Sequence, residues 1–389
     1  MKSHHRIYLL QFIFALSMGA LLARLPDLQV QFELGEGQLG LLLITMSCGV
    51  LAGLTFLGRT VQRIGARATT FMTIFGATVC YALVPWMPSA LGAAPLLFIA
   101  GTLAGALEIN ANVEADRHEA VLGRRIMSRV HGMWSLGFFV TALAAAALRQ
   151  WGVSVELHMI LALAVVVVSG TLAFWNMQGA PARIDGGSTD QPPFALPTVG
   201  LLPLCLLGAA PLWVEGAGVD WSAIYMRDIY SVEPFVSGLS VTLFSLAIAL
   251  GRLSMDPVVD RFSPRAVATV LLLLAIAGVT LVALAPDPVT ALLGFALAGI
   301  GCSSVYPLAV SAAARRTDRP STQNVAALSQ MTFVVFFAGP PLLGFVAEHL
   351  GLRFSYGIIL PVLIAALMVR GALSSKRSTG TLIGIPADH

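Results

Sequence analysis

Glu108, Asn110 and Asn112 stand together in GALEINANVEAD (105–116), a run whose first residues are otherwise small and apolar. A helix turns about 100° per residue, so Glu108 and Asn112 share one face while Asn110 points elsewhere. A carboxylate with an amide one turn away can carry a proton or hydrogen-bond a polar solute. Glu108 precedes Asp116 by eight residues, about 12 Å along a helix, which is too deep for its head group to reach water by stretching. At the centre of a bilayer a charged carboxylate costs on the order of 2.5–3.5 kcal/mol, so Glu108 must face a cavity or be protonated for part of its life.

His131, in SRVHGMWSLGFF (128–139), is a second titratable group able to pair with a carboxylate near neutral pH. A packing hydrogen bond between helices would use the same side chains. Farther along, Glu215 and Asp220 lie in LWVEGAGVDWSAIYMRD (212–228), toward the outer end of a helix softened by Gly216 and Gly218. Arg24 is placed to pair with either acid when the outer side is closed. Ser304 and Tyr306 are polar groups within reach of a cavity, and Trp221 reads as a belt residue at head-group level.

The elements that must position these groups are membrane helices. Of the 389 residues 57% are hydrophobic and 11% charged, far from the usual balance of a water-soluble domain. Apolar stretches long enough to cross about 30 Å of hydrocarbon recur about twelve times. The expected spans are 7–25, 38–58, 68–87, 91–113, 129–148, 156–176, 198–219, 235–255, 266–285, 288–311, 323–347 and 352–372. With both termini in the cytoplasm, all but Arg24, Arg149, Arg227 and Arg353 of the 23 Lys and Arg residues fall in inner segments. The net charge of +3 is that asymmetry and calls for no nucleic acid. Cys48, Cys80, Cys205 and Cys302 fall within spans without a CxxC spacing, and read as buried, reduced packing groups with no metal or disulfide role. The charges from Glu114 to Arg129 read as a largely solvated face.

The chain repeats itself. An offset of 198 residues lays GRTVQRIGAR (58–67) over DPVVDRFSPR (256–265), Gly40 over Gly238, Gly53 over Gly251 and Phe138-Phe139 over Phe336-Phe337. Two homologous six-helix halves follow, residues 1–177 and 198–372. A Gly-, Pro-, Ser- and Asp-rich cytoplasmic linker (178–197) joins them, and 373–389 form a disordered cytoplasmic tail.

With these features the sequence resembles the major facilitator superfamily of secondary transporters. That family's loop signature, G-x-x-x-D-R-x-G-x-R, stands here as Gly58, Gln62, Arg63, Gly65 and Arg67; its aspartate survives only in the second copy, as Asp260. The resemblance implies an all-α integral membrane fold of 12 transmembrane helices in two pseudo-symmetric bundles that rock about a central cavity. Arg63, Arg67, Asp260 and Arg261 would then latch the cytoplasmic side. RLPDLQVQFEL (24–34), ALEINANV (106–113), DWSAIYMRD (220–228) and GRLSMDPVVDRFSPR (251–265) carry a finer resemblance to the fucose-permease-like branch, which includes the membrane protein of rhizopine catabolism. Glu108 matches that branch's proton-coupling glutamate. The helix-one acid used alongside it falls here on Leu22, which cannot titrate, and His131 is a candidate replacement. His131 and Trp134 occupy positions where the branch carries sugar-binding amides.

The expected function is a multi-pass carrier in the bacterial inner membrane. It would move a small polar, sugar-like solute by alternating access, with proton symport; proton-antiport export of a drug or secreted metabolite is the alternative. Proton coupling would fall on Glu108 and His131, solute binding on Asn112, Trp134, Ser304 and Tyr306, and the outer gate on Arg24, Glu215 and Asp220. No Walker loop, HExxH or GxSxG motif points to an enzyme, no cofactor is implied, and a monomer is the expected state.

Overall fold

The computed structural model describes residues 3–123, 126–181 and 195–374. Among them the ordered elements are helical. The first half contains α1 (Ser3–Leu22), α2 (Leu25–Gln31), α3 (Glu36–Phe56), α4 (Gly58–Leu83), α5 (Ala90–Leu122), α6 (Met127–Gln150) and α7 (Val155–Phe174). The second contains α8 (Leu202–Gly216), a π-helical turn Ala217–Trp221, α9 (Ser222–Tyr230), α10 (Pro234–Arg261), α11 (Pro264–Leu284), α12 (Pro288–Cys302), α13 (Val305–Ala314), α14 (Ser321–Leu350), α15 (Leu352–Gly357) and α16 (Ile359–Met368). Eleven stretches among the described residues are long and apolar enough to cross a membrane, and the broken segment Leu352–Met368 is a shorter twelfth. An even number of crossings returns both chain ends to one face, termed the terminal face below.

Helices rather than strands form because backbone groups in hydrocarbon must be satisfied within their own segment. Large apolar side chains such as Phe56, Leu91, Leu172 and Leu293 are exposed, as a bilayer-facing surface requires. Caps mark several ends: Ser89, Ser154, Ser263 and Asp287 accept hydrogen bonds from the first turns of α5, α7, α11 and α12.

The halves pack in matching ways. Within each, the second span lies against the fourth, α3 on α5 and α10 on α12; between them, α3 meets α14 and α6 meets α10. Gly40 and Gly238, one repeat apart, sit on these two seams. A Cβ at Gly40 would lie 2.7 Å from the Pro340 carbonyl oxygen, and one at Gly238 would lie 2.5 Å from Cβ of Ala146. Lipid supplies no hydrophobic force between helices, so such close approach is what lets backbones gain packing contacts.

Several expectations need correction. The signature segment after Gly58 is helical, interrupted at Gly65, whose φ of 81° lies in the region glycine tolerates best. The fourth span runs on to Leu122, and the seventh continues through the π turn to Tyr230. Trp221 is 1% exposed and its indole lies beside Gly344, so it is a core residue and no belt. Cys48 is exposed and Cys80 half-buried; Cys205 and Cys302 are buried, and all four are free. Glu114 is 1% exposed and no part of a solvated face: it pairs with Arg117 at 3.0 Å and accepts from the Ala180 backbone N–H at 2.8 Å. Most of the linker 178–197, Arg124, Arg125 and nearly all of the tail 373–389 lie outside the described residues.

Candidate functional site

Glu108 lies fourteen residues before the end of α5, roughly 21 Å from the terminal face. Its carboxylate is held from two helices. Asn112, one turn on, donates from Nδ2 to Oε1 at 3.0 Å, and Gln11 of α1 donates from Nε2 to Oε2 at 3.2 Å. His131 of α6 places Nε2 4.0 Å from Oε1. The Glu108 and His131 side chains are 31% and 40% exposed, so this group of first-half residues opens onto space. From the second half, Tyr306 of α13 feels the Glu108 charge, and its hydroxyl lies 3.2 Å from Ser329 Oγ on α14.

Some polar atoms here have no partner among the described residues. Gln11 is 1% exposed and its Oε1 is buried and unpaired; Thr332 Oγ1 and Trp213 Nε1 are unpaired in the second half. Gly208 of α8 brings Thr332 and Tyr306 together, since a Cβ there would touch both side chains. A buried polar atom left unpaired costs about 1–3 kcal/mol, and a ligand's hydroxyl or amide would recover that cost.

A second charged cluster joins the two halves. Arg252 of α10 donates from Nη2 to Glu215 Oε2 of α8 at 2.7 Å, from Nη1 to Ser135 Oγ of α6 at 2.9 Å, and from Nε to the Ser303 carbonyl at 3.2 Å. The pair is largely buried, at 16% and 10% side-chain exposure.

On the face opposite the termini, the halves are bridged. Arg227 donates to the Pro26 carbonyl at 2.8 Å and to Gln29 Oε1 at 2.7 Å; Gly37 N–H donates to Glu348 at 3.1 Å; Gln150 accepts from Phe235 N–H at 3.0 Å; and Arg149 reaches Ser237 at 3.4 Å. The structure is closed at that face.

Residues 216–380 match the sequence model of the Major Facilitator Superfamily. An uncharacterised MFS-type transporter of Yersinia pestis is 26% identical over 370 residues, covering 95% of this chain and 94% of that protein. The membrane protein MosC of Rhizobium meliloti is 26% identical over 343 residues, 88% of this chain and 83% of its own length. The crystal structure of the nucleoside transporter NupG superposes with a TM-score of 0.69 at 14% identity over 96% of this chain and 98% of that one. A bacterial homologue of the human lysosomal transporter Spinster, inward-facing and occupied, superposes with a TM-score of 0.67 at 16% identity over 95% of each chain. Over residues 216–380 the chain carries the sequence pattern of that superfamily, and over nearly its whole length it is similar to MFS-type transporters and shares their fold. Those relatives and structural neighbours are transporters, and the described residues supply helices long and apolar enough to cross a membrane, as such proteins need.

Within this fold the other predicted site residues fall as follows. Trp134 packs against Phe138, with ring centroids 5.3 Å apart and the planes tilted by 31°. Ser304 is 6% exposed at the break between α12 and α13, where the backbone leaves helical geometry. Asn110, on a different face from Glu108 and Asn112, is buried and bonded to Thr70 at 3.0 Å. Arg63 is exposed, Arg67 lies 5.5 Å over the Trp175 ring, and Arg261 lies 5.7 Å over Phe262. The Asp260 side chain lies outside the described part.

The structure does not bring the expected outer gate together. Arg24 is 3% exposed and bonded within its own half, to Asp27 at 2.7 Å, His158 Nδ1 at 3.0 Å and the Val153 carbonyl at 2.6 Å. Glu215 belongs to Arg252 instead. The span containing it ends at Tyr230, not near 219, which moves Glu215 from the outer end to mid-depth. Asp220 occupies the π turn.

Sequence reasoning missed Gln11, Ser135 and Arg252. The signal for Gln11 is an amide alone in an apolar run, YLLQFIFAL (8–16). Arg252, expected among the inner segments at the end of span 235–255, instead extends its side chain from α10 to partners inside the bundle.

Proposed function

We propose that this protein is a transporter of the major facilitator superfamily, that it imports a small polar, sugar-like solute together with a proton by alternating access, and that Glu108 carries the proton. The observation behind this reading is the Glu108 carboxylate itself. It is partly exposed at mid-depth, bonded to Gln11 and Asn112, and within 4.0 Å of His131. Deprotonated, it accepts both amide bonds; protonated, it becomes a donor, and its partners must turn or a solute must take the new bond. The exchange between these arrangements links proton binding to occupancy of the cavity. His131 would share the proton, while Asn112, Trp134, Ser304 and Tyr306 would contact the solute, together with the unpaired atoms Gln11 Oε1 and Thr332 Oγ1.

The membrane is the bacterial inner membrane, the terminal face is cytoplasmic, and the unit is a monomer of two bundles, 1–177 and 198–372, in a fucose-permease-like branch. The arginine asymmetry supports the orientation. Bridges at the opposite face support an inward-facing state in which Arg63, Arg67 and Arg261 are released from latching.

The test is reconstitution in liposomes enclosing a pH-sensitive dye. Pools of sugars, polyols, amino acids and drugs are added to wild type and Glu108→Gln. Inward proton flux with one pool, lost in the variant, supports symport. Proton movement opposite to the solute reverses the reading to antiport export, and solute flux indifferent to pH and to Glu108 removes the coupling role.

A further inference from the structure

Arg252 has a feature that a purely structural ion pair lacks. It joins groups on both sides of the boundary that alternating access must move: Glu215 and the Ser303 carbonyl in its own half, and Ser135 in the other. Its hold on Glu215 is a single contact, Nη2 to Oε2, with Oε1 unengaged among the described residues. A guanidinium offers five N–H donors in a planar fork suited to both oxygens of a carboxylate. Three are used here, and only one meets a carboxylate.

We propose that Arg252 receives a carboxylate of the transported solute, and that Glu215 stands in that place while the site is empty. The idea rests on the mid-depth region being the transport site and narrows its solute to an organic anion. Charge accounting then fixes the proton. Empty, the cluster is Arg252 cation and Glu215 anion, net zero. A solute carboxylate that displaces Glu215 would leave two anions on one cation in a low-dielectric interior, which is costly. Glu215 therefore takes up one proton as the solute binds, and the loaded cluster is again neutral. Solute anion and proton enter together and leave together, with no net charge moved by this cluster.

Other titratable groups are close. Cys302 at the end of α12 feels both Glu215 and Arg252, His131 lies one turn from Ser135 on α6, and Asp220 follows Glu215 through the π turn with Tyr356 near it. The α14 residue against this part of α8 is Phe336, which does not titrate.

The test uses the purified full chain in detergent and reads ligand-induced thermal stabilisation between pH 5.5 and 8. The probes are sodium salts of hydroxycarboxylates, dicarboxylates and sugar acids, each beside its neutral alcohol or amide counterpart. For wild type, acids but not their neutral counterparts should stabilise, with apparent affinity rising up to about tenfold per pH unit lowered, as one proton per anion requires. Glu215→Gln, close in shape and uncharged, should bind the same acids more tightly and with no pH dependence across that range. Arg252→Lys, which keeps the charge but loses the fork, should weaken binding at least about tenfold. Neutral counterparts binding as well as the acids, Arg252→Lys binding unchanged, or no acid binding either wild type or Glu215→Gln would each overturn the proposal. Saturable uptake of a neutral solute in the liposome assay would leave the transport reading intact in all three cases. Anion binding without any solute flux would instead sink the transport reading alone.

Discussion

His131 and Ser135 sit four residues apart on one face of α6, and each meets a different charged cluster: His131 lies 4.0 Å from Glu108, and Ser135 accepts a hydrogen bond from Arg252 at 2.9 Å. Ser135 also donates to the His131 carbonyl at 3.5 Å. One helix face therefore connects the mid-depth acid of the first half with the ion pair of the second.

Ser135→Ala removes a bond between the halves without touching the Arg252–Glu215 pair. A hydrogen bond to a charged group contributes about 1.5–3 kcal/mol. The population open at the face opposite the termini should therefore rise by about tenfold or more. Distances between spin labels on Leu91 and Val289, which are exposed on opposite halves, would report it; an unchanged distribution would mean the bond breaks at no cost.

Glu108→Gln keeps the shape and can still accept from Asn112, so its melting temperature should stay near that of wild type. Glu108→Ala leaves the Gln11 and Asn112 amides without their acceptor and should cost about 1–3 kcal/mol. Melting curves of both variants in one detergent separate the charge from the hydrogen bonds. Equal destabilisation of the two would show that the charge, and not the bonding, holds the cluster.

Gly40→Ala puts a methyl group against the Pro340 carbonyl and Cα of Pro341 on the seam between α3 and α14. Overpacking of this kind costs about 1–3 kcal/mol. Gly58→Ala, with nothing within 4 Å of its new methyl and φ in the helical range, is the control and should be neutral or stabilising by up to about 1 kcal/mol. A melting temperature lowered equally by both would remove the packing explanation.

Near residue 318 the pH dependence has a definite sign. Hydrogen bonding from Arg316, with further bonds from Asn324 and Thr198, holds the Asp318 carboxyl well below the usual carboxylate range, and the same contact raises Arg316. A depressed folded value means the contribution is complete above the ordinary aspartate value, about 3.9, and is lost as pH falls through the folded one. Asp318→Asn should leave the pH dependence of solute flux between pH 5 and 8 unchanged while reducing the acid sensitivity of thermal unfolding below about pH 4. A flux profile altered by this variant would tie the loop to coupling.

The sequence alone determined that the chain crosses a membrane about twelve times, that it repeats with an offset of 198, and that Glu108 and Asn112 form one pair. These are local properties: apolar length fixes a span, and helical pitch fixes which side chains share a face. Gly40 and Gly238 extend that success, since the repeat matched them and both lie on seams between the halves. Only the tertiary structure decided that Glu215 pairs with Arg252 and not Arg24, that Gln11 is the helix-one partner of Glu108, and that Glu114 and Trp221 are buried. Each of these depends on where a helix ends or on which helix lies beside it. The π turn and the added length of α5 shift depth by whole turns without changing composition, and partners such as Gln11 and Glu108, 97 residues apart, meet only through packing.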